Sequence, residues 1–231
     1  MTEYIIKGEH IITINDIVIP QDVVKLTIKN THIYKLILPY LPKLTYLEIT
    51  RNYNLTYVDL TNNTKLVTLY LNDNNLTSVD LINNTTLVNL NLGYNNLTGV
   101  NLTNNTALVT LDLSRNNITS INLTNNTNLV HLYLNGNKLT RINLTNNILL
   151  ETLYISRNNL TSIDLTENIV LVNLYLNRNQ IYNPARLSPI INLQDLTIEY
   201  NNFKSKSTYL YCSYKLTKLY TDISNISKFI V

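Results

Sequence analysis

The sequence has 231 residues, of which 45% are hydrophobic and 14% are charged, and its net charge is +3. This supplies enough apolar material for a core, and no dense run of Lys and Arg indicates a nucleic-acid binder. The single cysteine, Cys212, excludes an internal disulfide framework. No apolar run is long enough for a membrane helix, and no signal-peptide pattern opens the chain. We therefore expect an intracellular protein that does not contact a membrane.

Residues 1–22 predict an N-terminal capping hairpin. The run EYIIKGEHIITINDIVIP places two apolar-rich segments around Lys7-Gly8-Glu9, which is typical of two strands joined by a turn. A cap is needed here because the first unit of a stacked array would otherwise expose apolar side chains and an unpaired strand edge.

From Val23 onward the sequence repeats itself every 21 or 22 residues. Most units read LxxLxLxxNxL and continue with a second apolar pair. Nine units begin at Val23, Leu44, Leu66, Leu87, Leu108, Leu129, Leu150, Leu171 and Leu193. Both the period and the consensus match the leucine-rich repeat, whose units have about 20–29 residues. We therefore assign residues 23–213 to nine such repeats within a single structural domain.

The LxxLxL segment of each unit predicts a short strand. Counting from the first leucine of a unit, positions 4 and 6 face one way and positions 3, 5 and 7 the other. Leu111 and Leu113 should face the core, while Asp112 faces solvent. Stacked units then form a parallel sheet on the concave face of a horseshoe, with little helix because the outer arc lacks helical periodicity. We expect extended or 3₁₀ segments there, with room for a second narrow sheet, within the conventional α/β horseshoe class.

Position 9 of the repeat is an asparagine column, which we interpret as a structural ladder. Its members are Asn52, Asn74, Asn95, Asn116, Asn137, Asn158, Asn179 and Asn201. The chain leaves the strand at this position, and a buried side-chain amide can pair the backbone groups that the turn exposes. A second column predicts a similar turn on the outer side and consists of Asn63, Asn84, Asn105, Asn126, Asn147 and Asn168.

The end of the chain predicts a degenerate repeat and a C-terminal cap over residues 214–231, in which Leu216 and Leu219 keep the leucine spacing. Two one-residue insertions interrupt the period. One falls within Arg51–Leu55 and the other follows Ile181. We expect both insertions to bulge from the surface, since the core positions on either side of them stay in register.

Candidate binding residues lie at exposed repeat positions that stacking does not dictate. Position 5 carries tyrosines in three successive units, and position 8 carries arginines. Tyr and Arg are enriched at protein-binding hot spots. The candidate residues are Tyr70, Asp112, Arg115, His131, Tyr133, Tyr154, Arg157, Tyr175 and Arg178. The interpretations left open are tyrosine packing that only stabilises the sheet, a carbohydrate surface, and nucleic-acid binding through the arginines.

An enzyme is not indicated. Asp112, Ser114 and His131 would share one face of the sheet, but strand spacings of about 7 Å are too long for a hydrogen-bonded triad. No Cys/His spacing indicates a metal site, and no glycine-rich loop indicates a phosphate-binding cofactor site. We expect a monomeric, non-enzymatic scaffold without a cofactor or metal that binds another protein.

The units LVTLYLNDNNLTSVDLINNTT and LVTLDLSRNNITSINLTNNTN resemble the 21-residue repeats of bacterial surface and internalin-like leucine-rich repeat proteins. The composition also resembles that of proteins from an AT-rich giant DNA virus or an intracellular pathogen. These resemblances imply binding of a host protein through the concave face, in the host cytoplasm or as part of a virion.

Overall fold

The computed structural model describes residues 2–8, 18–182, 190–203, 209–213, 215–223 and 225–228. These ranges contain fifteen β-strands and no helix. Within them, accordingly, no helix has the length and apolarity needed to cross a membrane. The expectation of a parallel, mostly β solenoid is confirmed. The chain divides into two compact units, Met1–Asn117 and Ile118–Val231.

The first unit contains eight strands, all paired in parallel. Their bounds are β1 (Glu3–Lys7), β2 (Lys25–Lys29), β3 (Lys35–Ile37), β4 (Tyr46–Thr50), β5 (Tyr57–Asp59), β6 (Thr68–Tyr70), β7 (Asn89–Asn91) and β8 (Thr110–Asp112). The main sheet has the order β1-β2-β4-β6-β7-β8, with each strand one turn of chain from the next. Strands β3 and β5 form a separate two-stranded sheet in the outer arc.

The second unit contains seven strands with the same arrangement. Their bounds are β9 (His131–Tyr133), β10 (Thr152–Tyr154), β11 (Asn173–Tyr175), β12 (Asp195–Thr197), β13 (Tyr209–Cys212), β14 (Lys218–Tyr220) and β15 (Asn225–Lys228). The main sheet has the order β9-β10-β11-β12-β14, all parallel. Strands β13 and β15 pair in parallel beside it. Leu219 of the degenerate repeat is paired in register with Leu196.

The leucine at position 4 of each repeat forms the centre of the core. Leu132, Leu153 and Leu174 are in register on adjacent strands and are fully buried. The residues before and after each of them are mostly half-buried, because successive side chains of a strand point to opposite faces. One repeat has no second layer of its own, so these leucines are removed from water only when turns stack on each other.

The position-9 asparagines hydrogen-bond the backbone of successive turns. Nδ2 of Asn116 donates to the carbonyl oxygens of Leu113 (3.1 Å) in its own turn and Leu92 (3.0 Å) in the preceding one. Its Oδ1 accepts the N–H of Leu97 at 2.9 Å. Asn158 makes the corresponding three bonds in the second unit. Seven of the eight asparagines are buried, and Asn201 is half-buried.

The second asparagine column makes a different set of bonds at the outer turn. Nδ2 of Asn147 donates to the carbonyl oxygens of Leu123 (3.1 Å) and Asn126 (2.9 Å), 24 and 21 residues earlier. Its Oδ1 is buried without a hydrogen-bond partner among the described residues, as is that of Asn168. These asparagines therefore satisfy backbone carbonyls of the preceding turn, while the buried acceptors of Asn147 and Asn168 have no partner among the described residues, at a cost of about 1–3 kcal/mol for each.

The N-terminal segment adds a strand to the main sheet. Strand β1 pairs in parallel with β2, and Ile5 lies opposite Thr27. The side chain of Ile6 is buried. The second segment of the expected capping hairpin lies outside the described residues, so the hairpin stays a prediction. Most of the insertion after Ile181 also lies outside them.

We predict that Asn116→Leu destabilises the fold. The leucine fills a similar volume but leaves the N–H of Leu97 without its side-chain acceptor, at about 1–3 kcal/mol if water cannot reach it. It also removes one donor to each of the carbonyls of Leu92 and Leu113, although Asn95 still donates to Leu92. The measurement is the free energy of unfolding in urea. The matched control is Asn104→Leu at an exposed asparagine, which should change stability little. Equal stability of the two variants would contradict the structural role of Asn116.

Candidate functional site

Three tyrosines at position 5 form a continuous surface in the second unit, here called the tyrosine stripe: Tyr133, Tyr154 and Tyr175. Their backbones are paired in register on β9, β10 and β11. The rings of Tyr133 and Tyr154 meet edge to face, with centroids 5.1 Å apart and an interplanar angle of 85°. Those of Tyr154 and Tyr175 lie 4.2 Å apart at 47°. All three side chains are half-buried, so each is partly open to solvent.

The central ring, Tyr154, is held in a less polar environment than a free tyrosine. Burial is the largest of the effects that together raise the pKa of its phenol to about 12, and a hydrogen bond with Tyr175 is the next. Electrostatic repulsion from Tyr175, Tyr133 and Asp195 contributes the rest of the increase in pKa. The phenol therefore remains neutral well above physiological pH. It can donate and accept hydrogen bonds, but it is not an activated nucleophile.

Position 3 supplies polar side chains along one edge of the stripe. His131, Thr152 and Asn173 are paired in register on the same three strands. Nδ2 of Asn173 donates to Oγ1 of Thr152 at 3.4 Å. Nδ1 of His131 is buried and has no hydrogen-bond partner among the described residues. This edge combines hydrogen-bonding groups with the aromatic surface, as the centres of protein interfaces do.

Position 8 adopts a left-handed backbone in every repeat, here called the position-8 column. The φ angles lie between 52° and 67° at Asn30, Arg51, Asp73, Tyr94, Arg115, Gly136, Arg157, Arg178 and Tyr200. The repeat consensus does not predict this conformation. Gly136 and Asn30 indicate a positive φ at this position, because glycine and asparagine tolerate it. The Arg, Tyr and Asp residues of the other repeats give no such indication.

Two of the arginines in this column stack on tyrosines of the same column. The guanidinium carbon of Arg178 lies 4.8 Å from the ring centroid of Tyr200, and that of Arg115 lies 5.2 Å from the ring of Tyr94. Both tyrosines are more than half exposed. Cation–π contacts of this kind contribute about 0.5–1 kcal/mol at exposed sites. They hold Arg178 and Arg115 over the column, beside the strands that carry the position-5 residues.

Three of the candidate residues lie in the first unit and six in the second. In the first unit Tyr70 packs edge to face on Tyr46, with centroids 5.8 Å apart. Oδ1 of Asp112 accepts the backbone N–H of Ser114 at 2.8 Å, a local turn contact. A side chain on Gly93 would come within 3.3 Å of the Asp112 carboxylate. Tyr70 and Asp112 therefore contact neighbouring residues that are not candidates. The ring contacts between candidate residues are those within the tyrosine stripe.

Of the three residues considered for a catalytic triad, Asp112 accepts the backbone N–H of Ser114 in a local turn after β8. No group of three His, Cys, Asp or Glu side chains among the described residues has the spacing to hold a metal ion.

Comparison with known proteins supports the repeat assignment. A family profile described as Leucine Rich Repeat matches residues 107–127. No curated protein sequence matches this chain. Among solved structures, the functional domain of InlJ from Listeria monocytogenes aligns at 22% identity with a TM-score of 0.66, over 90% of this chain and 60% of that one. YopM from Yersinia enterocolitica aligns at 23% identity with a TM-score of 0.66, over 92% and 52%.

A third similar structure is the Toll–Spätzle complex of Drosophila, at 21% identity and a TM-score of 0.65, over 91% of this chain and 37% of the other. The chain thus spans between about a third and three-fifths of the length of these three proteins. At such identities the likeness concerns the fold. Together with the repeat consensus and the stacked parallel strands, it shows that this chain has the fold of a leucine-rich repeat solenoid.

The raised pKa of Tyr154 predicts an alkaline loss of stability. The folded value of about 12 exceeds the ordinary value of 10.0, so the stabilising contribution is complete below pH 10 and is lost as the pH rises through 12. Urea unfolding at several pH values between 9 and 12 measures this loss. We expect a smaller loss in Tyr154→Phe than in the unmodified chain, whereas Tyr40→Phe, at an exposed tyrosine, should behave like the unmodified chain.

The left-handed backbone predicts which substitutions position 8 tolerates. Arg157 has a φ of 56°. Arg157→Asn should preserve stability, whereas Arg157→Val should lower the free energy of unfolding by about 1 kcal/mol or more, because a β-branched side chain fits this conformation poorly. Calorimetric or urea unfolding of the two variants provides the comparison. A valine variant as stable as the asparagine variant would contradict the backbone assignment.

Proposed function

We propose that this solenoid is a non-enzymatic scaffold that binds a partner protein through the exposed face of β9, β10 and β11. The tyrosine stripe is the centre of the contact, on what we take to be the concave side of the stack. His131, Arg157 and Arg178 form its polar surroundings. We further propose that this interaction takes place inside a cell.

The observation that carries the proposal is the contiguous, half-buried tyrosine stripe. Its rings are fixed by contacts with each other, so a partner that covers them immobilises few additional rotamers. Tyrosine offers a large apolar face and a hydroxyl group, the combination that is enriched at interface hot spots. A parallel sheet strengthened only by cross-strand packing would not require three aromatic side chains on a solvent-facing surface.

The structural comparisons support a binding role for the fold. InlJ and YopM are proteins of Listeria monocytogenes and Yersinia enterocolitica, and Toll is seen in complex with Spätzle. By analogy, we propose that the partner of this chain is also a macromolecule, and that host or pathogen interaction is the setting to examine first. Because these similarities concern the fold alone, the proposed location of the binding surface is based on the residues of the tyrosine stripe.

We predict that the tyrosine stripe dominates partner affinity. Proteins captured from the native host with the unmodified chain should be lost with Tyr154→Ala, and Tyr133→Ala and Tyr175→Ala should weaken capture. Truncation of a central anchor costs about 2 kcal/mol or more, which corresponds to a loss of affinity of roughly thirtyfold. The control is Tyr40→Ala, at an exposed tyrosine outside the stripe. Equal capture by Tyr154→Ala and the control would contradict the proposal.

The same variants separate the other binding classes. If the chain binds a glycan array in a manner that depends on Tyr154, and captures no protein, the ligand is a carbohydrate and not a protein. An affinity that falls steeply with salt and depends on Arg157 and Arg178 would indicate nucleic acid. A protein contact centred on half-buried aromatic rings should instead depend weakly on salt.

A further inference from the structure

The first unit contains a shallow cavity of about 280 Å³, here called the Arg51 notch, between two successive turns. It is lined by Asn30, Thr31, His32, Arg51, Tyr53 and Asn54. It lies where the repeat interval lengthens to 22 residues, because Tyr53 is the extra residue of the Arg51–Leu55 segment. The notch belongs to a different part of the chain from the tyrosine stripe and is independent of the proposed function.

The insertion forms the notch by changing how adjacent turns are joined. In regular turns the residue after the ladder asparagine donates its N–H to a leucine of the preceding turn, as Asn96 does to Leu76 and Asn117 to Leu97, both at 2.8 Å. At the insertion, the carbonyl of Asn52 instead accepts the N–H of Leu55 within the same turn, also at 2.8 Å.

The hydrogen bonds of the asparagine ladder also change beside the insertion. Oδ1 of Asn74 accepts the N–H of Asn52, 22 residues earlier, at 3.0 Å, whereas Asn95 and Asn116 each accept the N–H of a leucine 19 residues earlier. The chain between Asn52 and Leu55 therefore loops outward. Its tyrosine, Tyr53, is 70% exposed, which leaves the ring at the rim of the space beneath it.

The lining is basic and rich in hydrogen-bond donors. Arg51 is exposed on a left-handed residue, with a φ of 58°, and forms no ion pair with any residue that the structure describes. Asp73, the next member of the position-8 column, accepts a hydrogen bond from Nδ2 of Asn72 at 2.6 Å. The nearby carboxylate of Glu48 is paired with Lys29 at 2.6 Å. None of the described lining residues is acidic.

We propose that the Arg51 notch binds a phosphoryl group. The Arg51 guanidinium matches two phosphate oxygens in a bidentate contact. Asn30 and Asn54 add amide donors for the remaining oxygens, and Tyr53 adds a phenol at the rim. A carboxylate has only two oxygens and would leave several of these donors unused. The group can belong to a free phosphate compound or to a phosphorylated side chain of a larger molecule.

The test uses the full chain and two probes at low ionic strength: inorganic phosphate and N-acetyl-phosphoserine methylamide. Amide chemical shifts followed by NMR should saturate with either probe, with the largest changes at residues 30–32 and 51–54. Tighter binding of inorganic phosphate would identify a free phosphate compound as the source, and tighter binding of the phosphoserine probe would identify a side chain. Absence of saturable binding for both probes would overturn the proposal.

Two variants and a control locate the site. Arg51→Gln keeps an exposed polar residue and should weaken binding at least tenfold. Deletion of Tyr53 restores the 21-residue interval and should abolish binding by closing the notch. Arg115→Gln, in the same column but without an insertion beside it, should bind as the unmodified chain does. Equal weakening by Arg51→Gln and Arg115→Gln would show nonspecific attraction to basic residues and overturn the proposal.

Discussion

The asparagine ladder is the interaction on which the rest of the structure depends. At position 9 the chain leaves the strand while still buried, and its N–H and carbonyl groups cannot reach water. A single side-chain amide resolves this, because Asn116 donates to carbonyls of two turns and accepts an N–H from the preceding turn. Repeated through the stack, this contact fixes the spacing between turns, and the spacing in turn brings the leucines together. The core is thus a consequence of polar satisfaction as much as of hydrophobic burial.

The difference between the buried and the exposed positions of the repeat determines where a functional surface can form. Positions 4, 6 and 9 are committed to the core and the ladder, so only the exposed positions vary without disturbing the stack. The second unit uses that freedom for Tyr133, Tyr154 and Tyr175, which form a rigid aromatic surface. The first unit uses an insertion instead, and Tyr53 opens a basic notch without interrupting the register of β4 and β6. Both features are departures from the consensus in residues that the fold leaves unconstrained.

Much of the fold could be predicted from the sequence because the period is strict. A repeat of 21 residues with leucines at positions 4 and 6 permits one register, in which Leu132 lies beside Leu153. Details that depend on backbone geometry were less accessible. The left-handed φ of the position-8 column is concealed by Arg and Tyr, which adopt it only because the ladder on its C-terminal side holds them there. The stacking of Arg178 on Tyr200 depends on the same backbone geometry.

The most direct test of the ladder is amide hydrogen exchange measured residue by residue by NMR. Four backbone N–H groups lie outside the strands and donate to Oδ1 of a buried asparagine in the following turn. They belong to Leu76, Leu97, Leu139 and Leu160. If those side chains bind the turns together, these four amides should exchange as slowly as strand amides, since both open only with the stack. Exchange at the rate of an unstructured peptide, with the strands still protected, would show that the turns are held without the asparagines.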